Sequence, residues 1–225
     1  MCTQGVGSGS RDEGLHKKEC AAELPAKRTP DRRQRQGDRV AAQILMTGSA
    51  ALSTAGRLMT ECRGEMERQF PSFFRAVFNT DAPDEEGVRI PLPAALERHR
   101  ARLPEALQIA EEHGCLFCRE VGREGVLRSL WKMGEELELG MEVRIKKIPI
   151  RQETIEICEY YDLDPYAEES GGTLLIAASD CGGLARALEQ AGIPVSVIGF
   201  LHTGKARTIV YPGHVRYLDK ARGER

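Results

Sequence analysis

A chain of 225 residues, 41% of them apolar, has material for one domain of ordinary size or two small ones with a real core. Its formal net charge of -2 gives no global attraction to nucleic acid or a membrane surface, although Arg28, Arg32, Arg33, Arg35 and Arg39 crowd one short run. No apolar stretch approaches the roughly 18 residues of a membrane span, no signal-peptide core opens the chain, and seven irregularly spaced cysteines fit reduced thiols, so the expected compartment is the cytoplasm.

Residues 1–38 hold glycine, serine and charged side chains with hardly an aliphatic residue, too little apolar surface to offset the entropy of ordering, and are expected to form a disordered basic tail. A solvated tail accounts for its arginines more simply than an arm for nucleic acid or an acidic partner. Residues 39–47, with Val40, Ile44, Leu45 and Met46, read as a strand, and the small-residue turn from Gly48 leads into a helix that includes Leu58 and Met59. A helix around Phe70, Phe73, Phe74 and Phe78 follows, interrupted by Pro71, then a polar loop over 81–93. Residues 94–102 and 104–113 read as two helices broken at Pro104, which suits a first helical position.

Residues 115–121 are a strand candidate, and Val126, Leu127, Leu130, Trp131 and Leu137 mark a strongly amphipathic helix. Residues 141–147 alternate apolar with charged, as a half-exposed strand does. Ile155, Cys158 and Tyr161 share one face of a helix over 151–161 that residues 162–165 stop; its Glu153 and Glu156 read as surface charge. Gly171-Gly172 then opens the apolar run 173–178, short enough between breakers to be a strand covered on both faces, which implies a sheet centre. Ser179 or Asp180 caps a helix carrying Leu184 and Leu188, Gly192 ends it, and 195–201 is the next strand. Turns at Thr203-Gly204 and Pro212-Gly213 set off two further strands, 207–211 and one near 215–218, before a charged tail at 221–225. The expected fold is one α/β domain over residues 39–220, a two-layer arrangement with a mixed sheet of about five to seven strands and helices mainly on one face.

The run Ile148-Pro149-Ile150-Arg151-Gln152-Glu153-Thr154-Ile155-Glu156-Ile157-Cys158-Glu159-Tyr160, followed by Asp164-Pro165-Tyr166, Ser170-Gly171 and Leu174-Leu175-Ile176-Ala177, resembles the C-terminal domain of the aminoimidazole ribonucleotide (AIR) synthase superfamily. The nearest branch is that of the AIR-synthase-related proteins grouped with the hydrogenase maturation factor that dehydrates a carbamoyl thioester. More loosely, the resemblance runs from about residue 43 to 218. In that family a turn reading Asp-Val-Thr-Glu-Gly-Gly brings backbone N–H groups to a phosphate at a helix N-terminus. The aligned residues here are Glu120-Val121-Gly122-Arg123-Glu124-Gly125, a degraded copy in which Glu124 competes with an anion and Arg123 compensates. Gly171-Gly172 matches a second glycine turn at the family's cleft. The resemblance thus points to Glu120, Gly122, Arg123, Gly125, Gly171 and Gly172 as a cleft that positions substrate or phosphate by N–H donation; each turn is also explained by packing alone. Thr47 and Gly48 match positions facing the family's domain interface, again with tight packing as the plainer explanation.

Outside the resemblance, Cys115-Leu116-Phe117-Cys118 is a lone Cys-x-x-Cys without the second pair that structural zinc needs, and on a strand its thiols would face opposite sides, so buried cysteine is the simpler reading. His202 precedes a turn and reads as a solvated loop histidine. Family members place their nucleotide and metal carboxylates mainly in an N-terminal domain ahead of the matched part, so ATP and magnesium are cofactors by resemblance only. The expectation is a stand-alone or truncated ligand-cleft half, not catalytic alone. Its alternatives are a synthetase or dehydratase subunit completed by a separately encoded ATP-binding chain, a non-catalytic small-anion or regulatory module that is a monomer or homodimer, and a nonfunctional product of a broken gene. The chain ends in Arg225 where the carbamoyl-carrying branch has a cysteine, so thiol dehydration does not carry over.

Overall fold

The computed structural model describes residues 39–69 and 92–219. Expectations for the basic tail, the phenylalanine-bearing helix at 70–78, the loop over 81–91 and the last residues lie outside them. The elements in order are β1 (Val40–Thr47), α1 (Leu52–Glu61), α2 (Arg63–Gln69), α3 (Leu92–Glu112), β2 (Phe117–Gly122), α4 (Gly125–Glu136), β3 (Gly140–Arg144), a short 3-10 turn (Ile145–Lys147), α5 (Gln152–Tyr160), β4 (Ser170–Ala178), α6 (Cys181–Gln190), β5 (Val195–His202), β6 (Arg207–Tyr211) and β7 (His214–Tyr217). The strands form one mixed seven-stranded sheet in the order β2-β4-β1-β5-β3-β6-β7.

Strand alternation sorts the core into two layers. On β1 and β4 the residues Ala42, Ile44, Met46, Leu175 and Ala177 face α4, meeting its Val126, Leu130 and Met133. Leu45, Leu174 and Ile176 face the other way, onto Ala106 and Ala110 of α3 and Leu184 and Leu188 of α6. All nine residues of β4 are buried, as an apolar run covered on both faces requires. A third cluster lies among the helices, where Leu52, Ala55 and Met59 of α1 pack on Met66, Leu92, Leu96 and Ile157. Asp180 caps α6 by accepting from the Gly183 N–H at 3.0 Å. β4 and β5 both pair antiparallel with β1, so they run parallel to each other with β1 between them. The strand-helix-strand unit therefore exists, but its two strands are not neighbours.

Two elements differ from their sequence pattern. α3 is a single helix that continues through Pro104. Proline removes one hydrogen bond and crowds the carbonyl four residues back, but here the Pro104 ring is exposed. The two halves are held separately, Ala95 and Leu96 by α1 and Ala106 and Ala110 by the sheet, so packing on each side outweighs the break. β3 is shorter than the alternation over 141–147: Met141 and Val143 are buried and Arg144 exposed, and then the chain turns, carrying Ile145 inward.

Candidate functional site

The two glycine turns meet at one edge of the sheet. The Glu120 carboxylate, on β2, accepts a hydrogen bond from the Gly172 N–H at 2.8 Å, so residues far apart in sequence share one contact. Gly172 has φ +75°, and a Cβ on it would stand 3.0 Å from the Arg100 amide nitrogen and 3.1 Å from His99 Cβ. Only glycine lets β4 start this close to α3. Beside it, the Gly171 N–H donates to Ser53 Oγ at 2.8 Å, the Ala51 N–H to Ser170 Oγ at 2.8 Å, and the Leu174 N–H to Thr47 Oγ1 at 3.0 Å. The turn after β1, with Thr47 and Gly48, is thereby stitched to the start of β4 by buried hydroxyls that satisfy backbone groups the sheet leaves over.

The turn before α4 is open at one end and closed at the other. Gly122 has φ +61° with nothing within 4 Å of where a Cβ would stand, and Arg123 is exposed. Gly125, at φ +74°, is packed against the backbone of Ala167, whose Cα would lie 2.7 Å from an added Cβ, and the Leu127 N–H donates to the Tyr166 carbonyl at 3.2 Å. The chain's own 164–167 turn therefore occupies part of the helix N-terminus. Glu124 is engaged by Lys132 and by Arg128 at 3.7 Å, and the hydrogen bond from Lys132 holds its carboxyl below the usual carboxylate range.

On the other side of Gly172 lies a pocket of about 190 Å³ whose charged lining is basic: Arg98, His99 and Arg102 from α3, and Arg151 from the residue preceding α5. Its apolar wall is Leu103, Ala106, Ile193 and Pro194. Two carboxylates answer the guanidiniums: Glu105 pairs with Arg102, and Glu153 with Arg151 at 3.4 Å. Burial, followed by the charges of Arg151 and Arg98, lowers the His99 pKa below its ordinary value, so the imidazole is neutral at pH 7.

No family model matches the chain, and no curated protein does. Among solved structures it is similar to the E. coli hydrogenase maturation protein HypE, at TM-score 0.60 and 19% identity over 83% of this chain and 52% of that one. A HypE structure in complex with ATP is similar at TM-score 0.51 and 15% identity, over 82% of this chain and 52% of that one. The fold is that of the AIR-synthase-related proteins. The chain spans about half the length of the HypE chains it matches.

Within this AIR-synthase-related fold, the remaining sequence expectations fall out unevenly. Glu153 is not surface charge: it is 3% exposed and faces Arg151, whereas Glu156 is half-buried and accepts from Gln152 at 2.6 Å. The residue type hid this, because a carboxylate in the first helical turn is ordinary on a surface. Cys115 and Cys118 do not point apart. β2 begins only at Phe117, so Cys115 lies before the strand, and the two thiols are near enough to influence each other's ionisation. Burial pushes Cys118 up to about 12 and raises Cys115 as well, which makes both poor nucleophiles. His202 ends β5 and is 8% exposed; its Nδ1 accepts from the Gly204 N–H at 3.1 Å, so it braces a turn. Among the described residues no three His, Cys, Asp or Glu side chains are grouped to hold a metal, and no helix is long and apolar enough to cross a membrane. The basic pocket had one sequence signal, Arg98 and Arg102 one helical turn apart in the helix expected over 94–102, but nothing in the sequence placed Arg151 beside them.

Proposed function

We propose that this chain is the ligand-cleft half of an ATP-dependent, AIR-synthase-related system, completed by a separate ATP-binding domain or by a second copy. The observation that carries the reading is the hydrogen bond from the Gly172 N–H to Glu120, which joins the two glycine turns into one edge. On this reading Glu120, Gly122, Arg123, Gly125, Gly171 and Gly172 form that edge. Gly122 and Arg123 offer the open contacts, the first by a half-buried backbone with open space beside it and the second by an exposed guanidinium. Gly125 and Gly171 support them from behind, since their surroundings are filled by Ala167 and Ser53. The similarity to a HypE structure holding ATP, over about half its length, supports the choice of nucleotide.

The described residues do not fit magnesium-ATP on their own. They group no set of carboxylates for the metal, and the N-terminus of α4 is partly closed by the Tyr166 carbonyl. The chain's own part is to orient an anionic ligand and exclude water, with phosphoryl chemistry left to the completing half.

Calorimetric titration of the full chain with magnesium-ATP tests this, first alone and then with an AIR-synthase-related ATP-binding domain from the same genome. The expected result is no saturable heat alone, and saturable heat in the mixture that Glu120→Ala weakens. Saturable binding by the chain alone, or a mixture indifferent to Glu120→Ala, overturns the proposal.

A further inference from the structure

Cys115 and Cys118 take no part in the cleft, and the fold brings them together by an identifiable device. α3 ends at Glu112, and the Cys115 N–H donates back to the Ala110 carbonyl at 3.1 Å, which fixes Cys115 at the helix end. The Leu116 N–H then donates to the Ala177 carbonyl at 2.7 Å, while Phe117 stands opposite the same Ala177 in the pairing of β2 with β4. Two residues on one side thus answer one on the other, a bulge whose extra residue breaks the alternation of faces. A regular strand sends residues three apart to opposite faces. Here they turn to the same one: Cys115 and Cys118 both pack against the cluster of Ala110, Ile176 and Leu184. Both are half-buried free thiols.

Their surroundings limit what such a pair can do. The wall is apolar, and Glu111 adds a negative charge on the last turn of α3. A thiolate nucleophile, or a dithiolate around a soft monovalent metal ion, would set further negative charge there; a disulfide carries none. We propose that Cys115 and Cys118 are a redox modification site, joined reversibly as a disulfide by exchange with a low-molecular-weight disulfide such as oxidised glutathione. The Cys115 thiolate attacks one sulfur of the oxidant, whose S–S bond breaks and releases one small thiol; the Cys118 thiolate then attacks the Cys115 sulfur and releases the second. The protons given up by the two cysteines leave on the two small thiols, the protein sulfurs are together oxidised by two electrons, and the small disulfide is reduced by two. Cys115 goes first because burial raises Cys118 further, to about 12. That first attack is slow, and the second, between neighbours, is fast. The ring closes over the bulge from which β2 starts, an edge strand that pairs only with β4 and carries Glu120.

The test equilibrates the full chain, folded and in urea, with glutathione buffers of increasing oxidised-to-reduced ratio, followed by alkylation, trypsin digestion and mass spectrometry. Residues 103–119 form one tryptic peptide that holds Cys115, Cys118 and no other cysteine, so their disulfide appears as that peptide without alkyl groups and lighter by two hydrogens. In the folded chain it is expected at a ratio about tenfold or more lower than in urea, because the bulge holds the thiols together. Folded Cys118→Ser is expected to stop at the glutathione adduct on Cys115, and folded Cys115→Ser to leave Cys118 largely unreacted. Absence of the disulfide from the folded chain, formation no easier than in urea, or an adduct that settles on Cys118 in preference to Cys115 overturns the proposal. Because no nucleotide is present, failure here leaves the ATP-dependent reading standing.

Discussion

Gly172 carries two constraints at one atom. Its φ of +75° is a conformation that a Cβ disfavours, and the space a Cβ would need is held by the α3 backbone at Arg100. Gly172→Ala is expected to destabilise the fold by about 1–3 kcal/mol, more than φ strain alone, because α3 must also retreat. Urea unfolding checks this: the midpoint should fall with little change in slope. His99 gives a second residue-scale expectation, with its sign set by burial and by Arg151 and Arg98. Its folded pKa lies below the unfolded value near 6.5, so between the two the unfolded chain binds a proton that the fold refuses. Stability should therefore fall as pH drops through about 6.5 and level off below the folded value. In His99→Gln that acid slope should be reduced, as measured by urea unfolding at several pH values. A slope unchanged by the substitution would assign it to other groups. Glu120 and Gly172 were legible in the sequence as separate site candidates, while their bond was not, because nothing in either motif says which strand borders which. Glu153 was misread for a related reason: helical periodicity placed the apolar stripe on Ile155 and Cys158, but the buried face runs through Glu153, Thr154, Ile157 and Cys158.

At the scale of elements, the patterns that succeeded had redundant signals. β4 had an apolar run between glycines and stops; α6 had a cap, a stripe and a terminating glycine, and both appear where expected. α3 shows what a single strong signal does when packing opposes it. Pro104 read as a break, yet Ala95 and Leu96 on one side and Ala106 and Ala110 on the other are each buried well enough to keep one axis. Relative to alanine, proline inside a helix costs up to about 3 kcal/mol, offset by under about 1 kcal/mol from a stiffer unfolded chain. Pro104→Ala is expected to raise stability by about 1–2 kcal/mol through a restored bond to the Arg100 carbonyl. A thermal midpoint that fell instead would mean that the proline ring itself contributes to the packing of α3. The two-helix expectation also separated Arg98 and Arg102 from Ala106, which line one pocket wall together on the unbroken helix.

The whole molecule is organised around β1 and β4, which lie inside the sheet and carry both apolar layers at once. The order β2-β4-β1-β5-β3-β6-β7 puts these two where α4 covers one face and α3 with α6 the other, while β7 pairs on one side only. Sequence periodicity identifies a doubly buried strand but not its neighbours, so the mixed sheet was legible and its order was not. The order has a mechanical consequence. Removing side-chain volume from β4 opens a cavity against helices that the rest of the core also uses, whereas β7, with no fully buried residue, can loosen alone. Leu174→Ala, at a site with no solvent exposure, is expected to cost about 2–5 kcal/mol and to lower the unfolding midpoint of the domain as a unit. Hydrogen exchange separates this from a local effect: amides of β1 and β4 should exchange only by global opening, and Leu174→Ala should speed both together, while β7 amides exchange faster and respond less. If β7 proved as protected as β4, the sheet would open as one piece, and the gradient from centre to edge argued from burial would be wrong. The same gradient bears on the sites, because Gly172 and Thr47 sit at the ends of these two most protected strands.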